Sequence, residues 1–306
     1  MSTVAVAQIC DVSVVIPAYK AAGTISRTLA SVLAQTVLPA EIIVVNDASP
    51  DTKEMVAALE AITIPEGVTL RVLHNETNLN GAATRNRGIE AATATYIAFL
   101  DADDEWEPEK LSLCLTAQAH SLETTGKPAL VYSQVNVVAG GTILKVRPAR
   151  GIGPTEHMSE YLFLSGGFIQ TSTIVCPRDV AAKVLFDPAF RRHQDYDFCL
   201  RMAVEDITPM FIDQPLARYH ATAGVFGQRR EDPDYTRQWG EAMRPWMSRH
   251  GYHGFRFFLV SGRLAGQKRY GAAVGNALTH AILLGPVGLW KARTKAAALG
   301  RAVLRK

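Results

Sequence analysis

Four short apolar runs, three of which lead directly into a polar cluster, constrain this chain more than any other feature. Val12–Ile16 stops at Pro17 and leads to Tyr19-Lys20, and Glu41–Val45 leads to Asn46-Asp47. Leu70–Leu73 is a third run, and Tyr96–Leu100 ends directly at Asp101-Ala102-Asp103-Asp104. Between them the pattern has helical period. Ile25, Leu29, Val32 and Leu33 share one face of a helix that Thr24 can cap, and further helices are predicted around Thr52–Ala61 and over Ala82–Ala92. Buried strands joined by helical crossovers form a parallel sheet with helices on both faces. Ligands bind such sheets beyond the carboxyl ends of the strands, which is where the polar clusters fall.

Downstream, a helix is predicted from Pro108 to about Glu123, and Leu130–Val138 and Thr142–Val146 read as a hairpin around Gly140-Gly141. Thr171–Val175 is predicted as a strand, Asp195–Val204 as a helix, and Pro209–Ile212 and Ala217–Tyr219 as short strands. After about Asp232 the pattern turns helical and basic. All 29 Asp and Glu lie at or before Glu241, whereas twelve of the 32 Lys and Arg follow it. Residues 1–241 thus carry −9 and residues 242–306 carry +12, an asymmetry that points to two tasks. Residues 1–11 lack the basic and apolar regions of a secretory leader, and no window of 18 consecutive apolar residues predicts a membrane span. Cys10, Cys114, Cys176 and Cys199 are too far apart for a CxxC clip, so a reducing cytosol is the simple expectation.

Asp101, Asp103 and Asp104 put three carboxylates into four residues, which repel unless a cation or solvent compensates them. Mg²⁺ and Mn²⁺ take hard oxygen ligands and often share them with substrate phosphates. A solvated acidic turn before the following helix is the alternative reading. Asp195 and Asp197 in Gln194-Asp195-Tyr196-Asp197-Phe198 offer either a general base or a helix cap. The turn after the first strand, Pro17-Ala18-Tyr19-Lys20-Ala21-Ala22-Gly23, lacks the GxGxxG that a dinucleotide-dependent oxidoreductase needs.

Taken together, Val12-Ser13-Val14-Val15-Ile16-Pro17-Ala18-Tyr19, Val44-Val45-Asn46-Asp47-Ala48-Ser49-Pro50-Asp51, the run from Asn78 to Ile89 and Phe99-Leu100-Asp101-Ala102-Asp103-Asp104 resemble the family-2 glycosyltransferases. The resemblance covers about residues 12–220 and implies a GT-A fold. That fold is α/β and Rossmann-like, with a mixed, mainly parallel sheet and helices on both faces, here with a basic C-terminal helical extension. It implies a catalytic domain over 1–235, with a donor half at about 12–105 and an acceptor half at about 106–225, followed by a tail at 236–306. It also implies an inverting transfer of a single sugar from a nucleotide-sugar, UDP-linked by preference, to a glycan or lipid-linked acceptor. The cell-surface polysaccharide or glycolipid setting follows from the same resemblance.

In that pattern Pro17 and Tyr19 form the floor under the nucleoside, and Asp47 accepts from the uracil N–H. Arg85 lies at the nucleotide, and Asp101 near the ribose or metal. Asp103 is the main ligand of Mn²⁺ or Mg²⁺, with Asp104 and His220 as further candidate ligands, and Asp195 is the catalytic base. The residues alone also allow Asp47 as an Asx-turn, Arg85 as a surface helix charge and His220 as a structural histidine. The chain departs from the family at Lys20, where Asn is usual, at Ala48, where Gly is usual, and at Gln194, where Glu is usual. A non-catalytic binding protein or scaffold of the same fold is the alternative function.

Aromatic and basic residues mix over 252–306, which suits an anionic membrane surface and a peripheral place on the inner face of the cell membrane. A helical cap packed on the catalytic domain is the other reading. No nucleic-acid-binding motif is present, and neither is the Gln-x-x-Arg-Trp motif of the processive enzymes.

Overall fold

The computed structural model describes residues 8–221 and 232–303, with side chains described as far as Arg293. The tail residues Lys295, Arg301, Arg305 and Lys306 therefore have no described side chains, and residues 1–7 of the expected leaderless start also lie outside the described residues.

The chain begins β1 (Ile9–Ala18), α1 (Ile25–Leu33), β2 (Leu38–Asn46), α2 (Thr52–Glu60), β3 (Thr69–His74), α3 (Asn80–Ala91), β4 (Tyr96–Phe99) and β5 (Glu105–Trp106). It continues α4 (Lys110–Thr125), β6 (Ala129–Ala139), β7 (Thr142–Arg147), α5 (Met158–Phe163), β8 (Val175–Pro177), α6 (Arg178–Val184), α7 (Gln194–Met202) and β9 (Thr208–His220). The last helices are α8 (Pro233–Ala242), α9 (Arg249–Gly254), α10 (Ser261–Gly266) and α11 (Tyr270–Val303), with a π-helical turn at Phe255–Val260 between α9 and α10.

The sheet runs β3-β2-β1-β4-β8-β6-β9-β5, with β7 paired to β6. It is parallel across β3-β2-β1-β4 and between β6 and β9, and antiparallel where β8, β7 and β5 join. The order reverses at β1: the chain steps outward to β2 and β3, then returns to place β4 on the other side of β1. Right-handed crossovers then put the helices before and after the reversal on opposite faces. The reversal opens a crevice at the carboxyl ends of β1 and β4. Packing there is close. A Cβ added at Gly88 of α3 would lie 2.3 Å from Val15 Cγ1, so only glycine lets this helix sit directly on β1.

Three local expectations need correction. Thr24 precedes α1 but caps nothing, because its hydroxyl donates back to the Ala21 carbonyl at 3.3 Å. Thr171–Val175 is no strand: Thr171–Thr173 forms a 3₁₀ turn, with the strand only at Val175–Pro177. The Thr173 hydroxyl and Ser172 N–H bond to Gln170 at 2.7 and 2.8 Å, and these local bonds compete successfully with the sheet. The two short strands predicted after α7 are one, β9.

Two compact units divide the described residues: one of 8–147 and 169–220, the other of 148–168, 221 and 232–303. The segment 148–168 belongs to the second unit together with the C-terminal helices. Within that unit Glu160 of α5 accepts from Ser248 at 2.8 Å and from Lys291 of α11 at 2.5 Å. Contrary to the expectation of no span, α11 is long and apolar enough over Tyr270–Arg293 to cross a membrane, although Gly285 (φ 62, ψ −176) breaks its helical path.

Candidate active site at the strand reversal

Pro17, Ala18, Tyr19, Lys20, Thr24, Asp47, Gly81, Arg85, Asp101 and Asp103 are among the residues that line a crevice of about 360 Å³. All the expected donor-side residues meet here. Arg85 is no surface charge. It is 8% exposed, its guanidinium donates to Asp101, and Nη1 reaches Gln194 Oε1 at 2.9 Å. Its buried Nε–H has no partner among the described residues.

Asp47 forms no Asx-turn; Asn46 Oδ1 accepts from Ser49 N–H instead, at 3.1 Å. The Asp47 carboxylate accepts from Asn75 and Leu79 N–H at 2.8 Å each and from Asn80 N–H at 3.1 Å. It therefore pins the turn that starts α3. A carboxylate has about four acceptor positions, so one remains for a ligand.

The acidic cluster splits into two kinds of residue. Asp101 pairs with Arg85, and Asp103 stands open in the crevice. The surrounding protein and then the Asp101 charge push the Asp103 carboxyl above its ordinary value. Asp104 faces away from the crevice, fully buried. It accepts from Gln170 and Ser172 at 2.7 Å each and from His220 N–H at 3.1 Å. Burial, then the Asp101 and Asp103 charges, push its carboxyl well above its ordinary value. Asp104, expected as a possible metal ligand, is thus held by the protein and is not among the residues that line the crevice. His220 is also engaged, with Nε2 2.6 Å from Glu105 Oε1.

The described residues contain no group of three or more His, Cys, Asp or Glu arranged to hold a metal. Asp101 and Asp103, crowded together and only partly neutralised by Arg85, nevertheless offer the hard oxygen ligands that a divalent cation takes.

The second acidic pair also divides. Asp197 is fully buried and bound by Arg201 at 2.7 and 2.6 Å and by Asp187 N–H at 3.2 Å, a structural arrangement. Asp195 is half-buried and accepts only from Tyr196 N–H, at 2.9 Å, among the bonds described. Neither caps α7, whose N-cap position is His193. Desolvation pushes the Asp195 carboxyl up to about 6, against the opposing effects of the Tyr196 N–H and Arg85. A carboxylate with that affinity is suited to take a proton near neutral pH. Asp195 is not among the residues that line the crevice, although the side chain of the preceding residue, Gln194, accepts from Arg85, which does.

Sequence reasoning missed Gln170 and Asn75, the two amides that fix Asp104 and Asp47. Lys20 and Ala48, two departures from the family pattern, both have left-handed backbones, with φ of 53 and 50. Asn and Gly, the residues they replace, adopt that conformation most readily.

A sheet reversing at β1, with carboxylates and an arginine gathered at its carboxyl ends, defines a GT-A nucleotide-sugar-type fold. The sequence model described as glycosyl transferase family 2 matches residues 13–135. The chain is 40% identical over 250 residues to the amylovoran biosynthesis glycosyltransferase AmsB of Erwinia amylovora, covering 81% of this chain and 82% of that protein. The protein belongs to glycosyl transferase family 2 and is a glycosyltransferase. Its fold is similar to that of S. aureus TarS 1-349 in complex with UDP-GlcNAc, with a TM-score of 0.60, 16% identity and 88% and 81% of the two chains covered. The complex of the same protein with UDP gives a TM-score of 0.54 at 14% identity, over 94% and 91%.

Proposed function

We propose that this glycosyltransferase moves a single sugar from a UDP-sugar to an acceptor hydroxyl with inversion, in the assembly of a cell-surface polysaccharide or glycolipid. The acceptor is a glycan or lipid-linked glycan. The enzyme works in the cytoplasm at the inner face of the membrane, with the region 252–306 against anionic lipid.

Pro17 and Tyr19 form the floor for the nucleoside, and Asp47 offers its remaining acceptor position to the uracil N–H. Arg85 and Asp101 orient the nucleotide and its diphosphate. Asp103, with Asp101 beside it, would hold Mn²⁺ or Mg²⁺, which supplies positive charge against that developing on the leaving diphosphate. Asp195 takes the acceptor hydroxyl proton, and the oxygen attacks the sugar C1 from the face opposite the departing diphosphate. A single displacement of this kind inverts the anomeric centre. The UDP and UDP-GlcNAc complexes of the fold neighbour support a UDP-linked donor, and the amylovoran role of the sequence relative supports a polysaccharide product.

The observation that carries the reading is the Asp195 carboxyl, raised to about 6 and next in sequence to Gln194, whose side chain accepts from the crevice residue Arg85. The test is release of UDP from a panel of UDP-sugars with acceptor lipid extracts, for wild type and Asp195→Asn. Loss of turnover with UDP binding retained is expected; near-normal turnover in the variant overturns the assignment of the base.

A further inference from the structure

The outward face of α11 has a chemistry that the transfer reaction does not use. Residues 270–290 contain no Asp, Glu, Lys or Arg. Ala273, His280, Leu284 and Ala292 turn inward within the C-terminal unit and are buried. Polar contacts fix the same face: Asn276 Nδ2 donates to the Arg256 carbonyl at 2.7 Å, and the His253 and His280 Nδ1 atoms lie 2.9 Å apart. The opposite face is bare. Tyr270, Val274, Leu278 and Ile282 follow one another along it, and Val287 and Trp290 are exposed beyond the break at Gly285, all six between 57% and 78% exposed. Scattered exposed apolar residues are ordinary, whereas a stripe of them at four-residue spacing, as over Tyr270–Ile282, marks an interaction surface.

The charges around the stripe indicate what it meets. Lys268 stands exposed before it and Arg293 after it, while Arg269 and Lys291 beside them are paired with Asp234 at 3.0 Å and Glu160 at 2.5 Å; no Asp or Glu occurs anywhere in 242–306. A second copy docked face to face would bring identical cations together, so the surroundings disfavour self-association and favour an anionic partner. Trp290 lies at the end of the stripe with the Arg293 guanidinium 3.8 Å from its ring centroid, a pairing of aromatic and cation suited to the headgroup level of a bilayer. The helix does not suit a crossing. Its inner face is committed to protein contacts through His280, Asn276 and Lys291, and Gly285 breaks the path.

We infer that α11 lies in the plane of an anionic lipid surface, with Tyr270, Val274, Leu278, Ile282, Val287 and Trp290 immersed among the acyl chains and the exposed flanking cations Lys268 and Arg293 at the phosphates. Helices of this kind sit about 5–10 Å into the headgroup boundary. The inference rests on the peripheral-membrane part of the proposed function and gives it a surface and an orientation; the catalytic assignment does not enter it.

The test is flotation of the full chain with vesicles of phosphatidylcholine alone and of phosphatidylcholine with about a third phosphatidylglycerol. The comparison is with Leu278→Asp/Ile282→Asp, both exposed positions whose change leaves the packed face intact. Thermal melting and UDP binding serve as controls for folding and for the donor site. Wild type is expected to float with the anionic vesicles and weakly with the neutral ones, and the double variant to lose about tenfold or more in partitioning with melting and UDP binding unchanged. Three results overturn the inference: no flotation of wild type, equal flotation of the variant, or a lipid-free dimer that the variant dissociates. Failure of UDP binding in wild type would count against the donor site and leave the lipid result standing.

Discussion

Asp104→Ala and Asp103→Ala, one residue apart, should do opposite things. Asp104 accepts three hydrogen bonds at a site with no solvent access. Gln170 has a fallback at Asp101 Oδ2, 3.4 Å away, but the Ser172 hydroxyl and the His220 N–H lose their described acceptor. A buried donor left without a partner costs about 1–3 kcal/mol. Two of them, offset in part by removing a carboxyl that Asp101 and Asp103 already disfavour, give a loss of about 2–4 kcal/mol. At about 2–4 °C per kcal/mol for domains of this general size, Tm should fall by about 5–15 °C. Asp103 stands open and supports no such network, so Asp103→Ala should change Tm by less than about 2 °C. Calorimetry or dye-based melting without nucleotide reads both. A stable Asp104→Ala, or an Asp103→Ala that melts as early, would refute the division of the cluster into one structural and one ligand-facing acid.

The pH profile follows from Asp195. A base must be deprotonated to act, so with its carboxyl at about 6, kcat/KM should fall about tenfold per unit as pH drops below 6 and level off above it. Steady-state rates from pH 4.5 to 8 check this, and a flat profile through that window contradicts it. Ala48→Gly should raise stability by about 0.5–1 kcal/mol in denaturant melts, since relief of the left-handed strain at φ 50 outweighs the extra freedom of glycine in the unfolded chain; a loss of stability would show that the strain is absent. Gly88→Ala should lose about 1–3 kcal/mol by pushing α3 off Val15 in the same melts, and a neutral result would mean the helix can shift without penalty.

The parallel half of the sheet was legible because its signals are local. Branched apolar runs specify β1 to β4, and polar residues fall where the strands end, so the crevice followed from order alone. Arg85 and Asp47 were found by resemblance, and the structure replaces their bland readings with burial and bonds. The rest depends on distant partners. Asp103 and Asp104 look alike in sequence, and only Gln170 and Ser172, more than sixty residues on, distinguish them. Asp195 and Asp197 are separated in the same way by Arg201 and the Asp187 backbone. The run Thr171–Val175 has the composition of a strand, but its hydroxyls and the Gln170 amide form a local turn that a β-propensity argument cannot see. The segment 148–168 packs with the C-terminal unit through Glu160, whose partners Ser248 and Lys291 lie far along the chain.

The most direct test of the donor assignment is calorimetric titration of UDP into the wild-type chain and into Asp103→Ala, each with Mn²⁺ or Mg²⁺ and with chelator. Binding that requires the ion and weakens about tenfold or more in the variant is the expected result. Equal affinity in both proteins with and without metal would contradict the claim that Asp103 and the strand-end crevice hold a nucleotide diphosphate through a divalent ion.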